Sequence, residues 1–412
     1  MKILAAEKYY FVTGGASRVF METNSLLERH GHQVIPFTGR YAKNFATPYS
    51  RYFVPRFSLF SGEDEGRPTI TQMAKAYADA LYAFDVVRAI DRIVAEQRPD
   101  VAHLHTILFQ LSPSLITRLS GAGIPVIQTL HDFNLVCASR YLYTGGRICE
   151  RCKGRRYYQA LLQNCCNGNF LVSFMSFSAM CFHTLFHLYP GKIDLFISPS
   201  RFLRTKMIEW GLSPKRIVHI DHFLPASKFS GEGNGSEDYF VFAGYLVRQK
   251  GIYTLLKAMT KVRSGRLLLA GRGPERSGVE AFIRDHALKN VELIGFLGEA
   301  AYADILSKAK FVVFPSEWYE TFGMGILESF LLGKPVIASD LGAYPELVRP
   351  GETGLLFEPG NADDLAEKIT SLLQDDGRTE AMGRTARDIA VLNYNEDLHY
   401  QRLMKVYERP RG

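Results

Sequence analysis

The segment that decides the fold reads Phe314-Pro-Ser-Glu-Trp-Tyr-Glu320-Thr-Phe-Gly-Met-Gly-Ile-Leu-Glu328. The apolar run Phe311–Phe314 leads into it as a strand, and the pattern predicts a helix over about Ile326–Leu332. A turn between a strand and a helix leaves free backbone N–H groups at the helix N-terminus, and those groups suit a phosphate. The segment therefore predicts an α/β fold with an anion site where the strand passes into the helix.

Two carboxylates, Glu320 and Glu328, bracket that turn, one at its mouth and the other in the opening of the helix. One acid can hold a sugar hydroxyl while the other holds a ribose, so the pair predicts a site for a nucleotide sugar. Sugar transfer needs a grip on the diphosphate leaving group, which cations, a metal or backbone N–H groups can supply. The sequence has no Asp-x-Asp with a neighbouring acidic cluster. Chemistry that requires no metal or other cofactor is therefore expected.

The 412-residue chain exceeds one ordinary core and is expected to form two domains. Apolar strands alternate with helical patterns in both halves, which is typical of doubly wound parallel sheets. The polar, glycine-rich stretch Ser230–Glu237 is expected to link them. The predicted units are a first domain over 1–225 with a cysteine-rich insertion at about 137–190, a linker over 226–238, a second domain over 239–390 and a helix over 391–412.

Apolar runs bounded by turn residues predict the strands of both domains. In the first half they are Lys2–Ala6, Gln33–Thr38, Asp100–His105, Pro125–His131 and Asp194–Ser198. In the second half they are Tyr239–Ala243, Arg266–Ala270, Val291–Gly295, Phe311–Phe314, Pro335–Ala338 and Gly354–Phe357. The ligand cleft is expected between the domains, at the carboxyl ends of these strands.

The net charge of +7 is unevenly distributed along the chain. Residues 1–230 carry 27 Lys and Arg against 16 Asp and Glu, a net +11, and residues 231–412 carry 22 against 26, a net −4. A basic first half favours an anionic membrane surface or a pyrophosphate-linked acceptor as a partner. Nucleic acid ranks low because no nucleic-acid motif accompanies the charge. The opening Met1–Ala6 run is too short for a secretory signal, so a cytoplasmic protein without disulfides is expected.

Three further motifs follow the two acids in order: Leu332-Gly-Lys-Pro-Val-Ile-Ala-Ser, Gly342-Ala-Tyr-Pro-Glu346 and Gly351-Glu-Thr-Gly-Leu-Leu-Phe357. Together with the two acids they resemble the retaining glycosyltransferases of the GT-B fold, specifically family four. The resemblance implies two Rossmann-like domains that face a central cleft, with the last helix returning to the first domain. It also implies transfer of a sugar, with retention, from a nucleoside diphosphate sugar to a glycan or a polyprenyl-diphosphate-linked acceptor. The frequent setting of the family is bacterial surface polysaccharide assembly.

The resemblance also assigns site residues. His131, at the end of a first-half strand, is expected over the reacting sugar carbon, and Glu320 is the second catalytic residue. Retaining enzymes of this kind are described as letting the leaving phosphate take the proton of the acceptor hydroxyl, so His131 is not assigned as a base. The expected donor-binding residues are Gly14, Gly15, Arg248, Lys250, Phe296, Leu297, Thr321, Phe322, Gly323, Met324 and Glu328.

One position departs from the family pattern. Tyr245 stands where family members carry an arginine that clamps the diphosphate together with Lys250. Arg248 is a candidate substitute, and an arginine that faces solvent is the alternative. Two other functions stay open: a GT-B sugar-nucleotide epimerase or hydrolase that uses no sugar acceptor, and a non-catalytic sugar-nucleotide-binding protein, for which the missing arginine is the main support.

Five cysteines fall within thirty residues of the first half. Cys149-Glu-Arg-Cys152 has the spacing of a zinc knuckle, and Cys137 and Cys165 can complete a tetrahedral set of thiolates. In a cytosolic enzyme such a zinc site is structural and holds the loop that follows His131. Free thiols in a packed loop are the alternative.

Residues 157–191 contain no Lys, Arg, Asp or Glu, and Lys153, Arg155 and Arg156 lie just upstream. Two stripes at helical spacing run through this segment. The first contains Phe170, Phe174, Phe177, Cys181, Leu185 and Leu188, and the second contains Ser173, Ser176, His183 and His187. One interpretation is an amphipathic helix in a membrane interface, which places the protein peripherally on the inner face of the cytoplasmic membrane. The other is a helix buried between the sheet and the cysteine loop.

Overall fold

Each half of the chain folds around its own parallel sheet. The computed structural model describes residues 1–56, 69–108, 110–166, 168–229 and 236–409. Within these ranges the two main sheets have six strands each, and every strand pairing in them is parallel. The predicted α/β class with two doubly wound sheets is confirmed.

The first half contributes one main sheet and two short ladders. Its strands are, in chain order, β1 (Lys2–Ala6), β2 (Gln33–Phe37), β3 (Gly39–Arg40), β4 (Val54–Pro55), β5 (Val101–Leu104), β6 (Val126–Thr129), β7 (Tyr143–Thr144), β8 (Arg147–Ile148), β9 (Leu195–Ser198) and β10 (Ile217–His219). The main sheet has the order β10-β9-β6-β5-β1-β2, while β3 pairs with β4 and β7 pairs with β8. The strand order therefore reverses between β1 and β5.

The second half forms a sheet with a regular nucleotide-binding order. Its strands are β11 (Tyr239–Ala243), β12 (Arg266–Ala270), β13 (Val291–Gly295), β14 (Val312–Phe314), β15 (Val336–Ser339) and β16 (Gly354–Phe357). The order β13-β12-β11-β14-β15-β16 corresponds to 3-2-1-4-5-6. Its reversal point lies between β11 and β14.

Helices connect the strands and cover both faces of each sheet. In the first half they are α1 (Gly15–Arg29), α2 (Ile70–Leu81), α3 (Phe84–Gln97), α4 (Ser114–Gly121), α5 (Gln159–Leu162), α6 (Phe170–Leu185) and α7 (Arg201–Glu209). In the second half they are α8 (Ile252–Met259), α9 (Arg276–Asp285), α10 (Glu299–Lys308), α11 (Met324–Leu331), α12 (Tyr344–Leu347), α13 (Ala362–Gln374), α14 (Asp376–Asn393) and α15 (Glu396–Tyr407). Within the described ranges, none of these helices combines the length and apolar content that crossing a bilayer needs.

The first sheet is packed on both of its faces. Successive side chains of β1 point to opposite faces, so Leu4 joins one apolar cluster and Ile3 joins the other. Helix α15 follows the second domain in sequence, but its Leu403 and Tyr407 pack into the Ile3 cluster. Arg402 of α15 also pairs with the Asp221 carboxylate at 2.8 Å. The last helix therefore lies on the first domain.

The second domain is built around two large apolar clusters and a smaller third one that contains Val241 and Leu268. Phe240 of β11 stacks on Phe311 with ring centroids 4.7 Å apart, inside the first cluster. Phe314, Ile326 and Phe330 belong to the second cluster, where α11 packs on the end of β14. This packing holds the N-terminus of α11 at the carboxyl edge of the sheet.

Sequence reasoning missed the short strands of the first half. The three-residue β10 and the two-residue β3, β4, β7 and β8 are too short to leave a periodic signal. The predicted 226–238 linker begins with the 3₁₀ turn Ala226–Phe229, whose Phe229 is buried in the second domain's core. The residues 230–235 of that linker lie outside the described residues.

Candidate active site

The site is built where the two sheets reverse their strand order. In open α/β sheets, ligands bind outside the carboxyl ends of the strands that flank this point. In the second sheet, Lys250 follows β11 and Glu320 follows β14. In the first sheet, the Gly14-Gly15 loop follows β1, and His131 follows β6. The reversal points of both sheets therefore face the same cleft, and β6, which His131 follows, lies next to β5 at the first of them.

Glu320 is the centre of a compact polar cluster. Its Oε1 accepts hydrogen bonds from Lys250 Nζ at 2.6 Å, Trp318 Nε1 at 2.6 Å and Ser316 Oγ at 2.9 Å. Burial by itself raises the pKa of Glu320, but the Lys250 ammonium and the two neutral donors outweigh burial and leave the pKa lowered. Glu320 is therefore an ionised carboxylate beside a cation.

Glycine makes this cluster sterically possible. Gly251 has φ +70°, and a Cβ there would lie 1.7 Å from the Pro315 carbonyl oxygen. Gly342 has φ +65°, and a Cβ there would lie 2.8 Å from the backbone of Glu320. Only glycine fits at both positions without displacing the turn that carries Glu320. The glycines of the Lys-Gly and Gly-Ala-Tyr-Pro-Glu motifs are thus both needed for the chain to pack against the turn that carries Glu320.

Glu328 is held from both sides of the cleft. Its Oε2 accepts a hydrogen bond from the Tyr302 hydroxyl at 2.7 Å, and its Oε1 pairs with Arg18 of α1. Arg18 also pairs with Glu299 at 2.9 Å. Burial raises the pKa of Glu328, and Arg18 and Tyr302 oppose that rise. Arg18 thus brings a cation from the first domain to the acid at the start of α11.

His131 forms the floor of the cleft on the first-domain side. Its backbone oxygen accepts a hydrogen bond from Thr321 Oγ1 at 3.0 Å, which ties the two domains together beside Glu320. Its Nε2 lies 2.9 Å from His105 Nδ1, and its ring stacks on His222 at 5.2 Å. Burial, with the Lys8 ammonium nearby, lowers the pKa of His131 to about 3. It is therefore a neutral imidazole at neutral pH.

Two helix N-termini meet across the cleft. Helix α1 begins at Gly15 and α11 at Met324, and a Cβ on Gly15 would lie 3.4 Å from Met324 Cγ. The Gly14 amide donates to Ser17 Oγ at 3.1 Å, which shapes the loop before α1. Gly323, the residue before α11, has φ +122°. Opposed helix N-termini concentrate positive potential, which suits a diphosphate.

Comparison with known proteins agrees with this geometry. Residues 13–227 match the family described as Glycosyltransferase Family 4, and residues 225–389 match Glycosyl transferases group 1. The chain belongs to glycosyltransferase family 4. Its first-domain match extends over more than half of the 412 residues.

Curated relatives of this family 4 chain align over part of their length. A glycosyltransferase of Methanocaldococcus jannaschii described as uncharacterized is 31% identical over 215 residues, 52% of this chain and 59% of that protein. The phosphatidyl-myo-inositol mannosyltransferase of Mycobacterium leprae is 30% identical over 198 residues, 46% of this chain and 51% of that protein. The chain thus spans about half the length of these relatives.

Solved structures match this family 4 chain over almost its whole length. The sucrose-phosphate synthase of Thermosynechococcus elongatus has a TM-score of 0.69 at 20% identity, covering 98% of both chains. Anabaena HepE, solved with UDP and glucose, has a TM-score of 0.67 at 17% identity, covering 99% of this chain and all of that one. The likeness shows the fold, which is the GT-B fold expected from the sequence.

Among the predicted donor residues of the family 4 site, Arg248 makes its ion pair outside the Lys250–Glu320 cluster. Its guanidinium pairs with Glu275 at 3.1 Å and lies 5.1 Å from the Tyr253 ring centre. Tyr245, in the place of the family arginine, is exposed. The role of Arg248 as the substitute cation stays a prediction, and Arg18 is a second cation of the cleft besides Lys250.

Phe296 and Leu297 lie further along the same sheet edge. They follow β13, which is separated from β11 by β12. Phe296 is exposed, and its ring lies 4.8 Å from the Arg272 guanidinium. Phe322 is buried instead and packs on His222 at 5.1 Å between ring centres. Two strands, β12 and β11, thus separate these residues from β14, which precedes the acids, and their contact with a nucleobase stays a prediction.

Several residues of the site were missed by sequence reasoning. Arg18 lies one helical turn after the Gly14-Gly15 loop, a spacing that could have drawn attention to it. The other missed residues left no signal, because they belong to ordinary strand ends, turns or helices. These are Tyr302, Ser316, Trp318, His105 and His222.

The cysteine loop lies beside the site without presenting a metal geometry. All six cysteines are free thiols. Burial raises the pKa of Cys152 to about 12, and the neighbouring Cys137, Cys149 and Cys166 contribute to the rise. No group of three or more His, Cys, Asp or Glu side chains in the described part of the chain is arranged to hold a metal ion. The structural zinc at Cys137, Cys149, Cys152 and Cys165 stays a prediction.

Proposed function

We propose that this protein transfers a sugar, with retention of configuration, from a nucleoside diphosphate sugar to a glycan or lipid-linked acceptor. One observation carries the proposal. The Lys250–Glu320 pair of the second domain lies in the same cleft as His131 of the first domain, joined through the bond from Thr321 to the His131 carbonyl. A nucleotide held at one face of this cleft therefore directs its sugar at the other.

Each contact of the cluster fits one part of such a donor. The N-terminus of α11, with Lys250, suits the diphosphate. Glu320 is ionised and suits hydrogen bonds from sugar hydroxyls. Glu328 suits the two ribose hydroxyls, and the Arg18 guanidinium that now holds Glu328 lies where a second cation can reach the diphosphate. Arg18 thereby supplies the charge that Tyr245 does not.

The proposed chemistry needs no side-chain nucleophile. The bond between the sugar C1 and the leaving phosphate oxygen breaks as a bond forms from the acceptor oxygen to the same face of C1. The acceptor proton passes to the departing phosphate oxygen, and charge on the leaving diphosphate is stabilised by the cations and backbone N–H groups. His131, neutral and fixed by His105, shapes the sugar side of the cleft without acting as a base. Metal-independent turnover is part of the proposal.

The acceptor and setting are proposed on charge and on relatives. The first half carries the net charge of +11, from 27 basic against 16 acidic residues, which favours a polyprenyl-diphosphate-linked or membrane-borne acceptor. One relative is named as a phosphatidyl-myo-inositol mannosyltransferase, and Staphylococcus aureus TarM was solved with UDP and alpha-GlcNAc-glycerol. We assign the protein to bacterial surface polysaccharide assembly, as a cytoplasmic enzyme peripheral to the inner membrane face.

A donor screen tests the proposal. Thermal unfolding of the purified chain is measured with UDP-, GDP-, ADP- and dTDP-linked sugars, because a ligand that binds the folded state raises Tm. One donor should raise Tm in wild type and fail to do so in Lys250→Met. Mass spectrometry with that donor and a lipid-linked saccharide should then show one added sugar. If no donor shifts Tm or reaches the cleft, the proposal is wrong.

The screen also separates the two rival functions. A sugar-nucleotide epimerase or hydrolase converts the donor at the same rate with and without any acceptor. A non-catalytic binding protein shifts Tm and converts nothing. Stimulation of donor consumption by an acceptor, with product mass equal to acceptor plus sugar, is the result that only a transferase gives.

A further inference from the structure

The two stripes of the α6 segment are divided between its inner and outer sides. Most of the polar stripe faces inward, whereas the aromatic stripe faces outward only in part, because Phe177 packs on a buried cluster and Leu188 is buried. Ser173, Ser176 and His183 are buried, with exposed fractions of at most 6%. Phe170 and Phe174, on the opposite side of the helix, are 63% and 43% exposed. A surface helix of a globular protein normally has the reverse orientation. Neither a fully buried helix nor an ordinary surface helix describes α6.

Hydrogen bonds to α2 fix this orientation. His183 Nε2 lies 3.0 Å from the Ala80 carbonyl oxygen and 3.3 Å from that of Leu81. The Tyr77 hydroxyl lies 2.6 Å from Ser178 Oγ. Buried polar groups without partners are costly, so rotating α6 to hide its aromatic side would break bonds that the fold requires. The outward aromatic side is therefore built into the domain.

The exposed apolar surface here is unusually concentrated. Seven of the sixteen exposed large apolar side chains of the described residues lie between residues 158 and 186. Helix α5 packs against α6 and adds to the surface. Clusters of this kind mark binding surfaces. We call this surface the apolar face, and its main members are Leu162, Phe170, Leu171, Phe174, Leu185 and Phe186.

A basic run adjoins the apolar face. Arg151, Lys153, Arg155 and Arg156 are all exposed. The hydroxyl of Tyr157, the next residue, hydrogen-bonds to Thr184, which keeps the run beside the end of α6. No acidic residue occurs between positions 150 and 194. Two copies of the chain meeting on this face would bring like charges together, whereas an anionic lipid surface complements both the charge and the apolar side chains.

We propose that the apolar face and the basic run 151–156 dock onto an anionic lipid bilayer, with α6 lying in the plane of the interface. The apolar side chains enter the acyl boundary, and the basic run binds lipid phosphates. Helix α6 has 16 residues and stays on the membrane surface, since it is too short to span.

Two small cavities that share lining residues lie between the buried side of α6 and His131. Ser176 and His183 of α6 line the first cavity, together with Leu108 and Asn134. Leu108 and Asn134 also line the second, which includes His131. Docking therefore places the membrane on the side of the first domain that contains His131. A lipid-linked acceptor would then present its sugar to the cleft from the bilayer, a step that rests on the proposed function.

Vesicle flotation of the full chain tests the docking. Vesicles of phosphatidylcholine alone and vesicles with added phosphatidylglycerol are compared at low and high salt. Wild type should float with the anionic vesicles at low salt and lose most of that binding at high salt. Phe170→Gln with Phe174→Gln should weaken binding about tenfold. Arg155→Gln with Arg156→Gln should remove most of the dependence on anionic lipid.

The matched control is Leu392→Gln, an equally exposed leucine on α14 of the second domain, which should bind as wild type does. Unchanged circular dichroism and unchanged donor-induced Tm shifts show that the variants fold, so failure of docking and failure of the proposed function are separable. Absence of wild-type binding at low salt overturns the docking. A lipid-free dimer in analytical ultracentrifugation that the double phenylalanine variant dissolves overturns it in favour of self-association.

Discussion

The two domains reach the same cleft by different means. In the second domain two of the three donors to Glu320 are local, because Ser316 and Trp318 lie within five residues of it on one turn, while Lys250 reaches it from 70 positions away. In the first domain the contacts are long-range: Arg18 meets Glu328 across 310 positions, and His131 is held by His105 and His222. The second-domain part of the site is thus specified largely by a motif, whereas the first-domain part depends on the assembled fold.

The domains also differ in how they bury ionisable groups. Buried histidines are concentrated in the first domain and in the helix that packs on it, at His103, His105, His183, His222 and His399, and the half-buried His131 lies beside them. The second domain contains one histidine, the exposed His286. We therefore expect the first domain to lose more stability than the second between pH 7 and pH 5. The predictions that follow test these contrasts, beginning with the largest effect.

The donor-side turn should carry the largest catalytic effect. Glu320→Gln keeps the shape of the side chain but leaves Lys250 without its ionised partner, and it removes an acceptor for sugar hydroxyls. The transfer rate at saturating donor should fall about 10²–10³-fold. The matched control is Glu352→Gln, an exposed acid of the same domain, which should retain the wild-type rate. A transfer rate of Glu320→Gln within twofold of the wild-type rate would show that Glu320 does not take part in the chemistry.

The long-range contact should carry a smaller effect. Arg18→Met keeps the length of the side chain and removes the cation that pairs with Glu328. The KM for the donor should rise about tenfold, and stability should fall by about 1–3 kcal/mol because a buried acid loses its partner. Steady-state kinetics and urea unfolding measure the two effects. Arg92→Met, which changes an exposed arginine of α3, is the control, and an equal effect there would refute the role of Arg18.

Acid should unfold the first domain before the second. Burial lowers the pKa of His103 and His131 to about 3 and that of His399 to about 4. Their folded pKa values lie below the unfolded value near 6.5. The stability from keeping them neutral is present above pH 6.5 and is lost as the pH falls toward 4. At pH 5, keeping each of these histidines neutral in the folded state lowers the free energy of unfolding by up to about 2 kcal/mol.

Glu7 opposes this trend, since burial raises its pKa to about 7 and its protonation favours the folded state as the pH falls. It offsets about one histidine, so the first domain should lose about 3 kcal/mol between pH 7 and pH 5. Hydrogen exchange, corrected for intrinsic rates, should show protection lost first in β1, β5 and β6. Earlier loss in β11 and β12 would contradict the contrast between the domains.

The smallest predicted effect is a gain in donor affinity at position 245, where this chain has a tyrosine in place of the family arginine. Tyr245 is exposed, so Tyr245→Arg should not disturb packing. A second cation near Lys250 should lower the donor KM about two- to threefold at low salt, and high salt should remove the gain. Tyr245→Gln serves as the neutral control. Equal donor KM values for the two variants would show that Arg18 already supplies the second cation for the diphosphate.

Much of the second domain could be read from sequence. The predicted Tyr239–Ala243, Arg266–Ala270, Val291–Gly295 and Gly354–Phe357 coincide with β11, β12, β13 and β16. The inner strands β11 and β12 are mostly buried apolar runs, and turn residues bound all four strands, so their bounds leave a strong signal. By contrast, the three-residue β10 of the first domain contains no such run, and sequence reasoning missed it.

The residues of the candidate site also divide into those that a local motif predicts and those that it does not. Glu320, Lys250 and the Gly251 turn follow from motifs whose spacing is local. Arg248 lies two residues from Lys250, yet its side chain turns to Glu275, because the 3₁₀ turn Arg248–Lys250 points neighbouring side chains in different directions. No local pattern distinguishes Arg248 from Arg18 as the cation of the cleft.

Sequence by itself determined the two parallel sheets, the donor turn and the existence of two stripes on α6, because burial periodicity and turn chemistry act over a few residues. Only the tertiary structure decided which cation reaches Glu328 and which stripe of α6 faces outward. Those outcomes depend on pairing between groups about a hundred or more positions apart, such as His183 with the Ala80 carbonyl. Such pairs form only when the chain has folded, so no short stretch of sequence contains them.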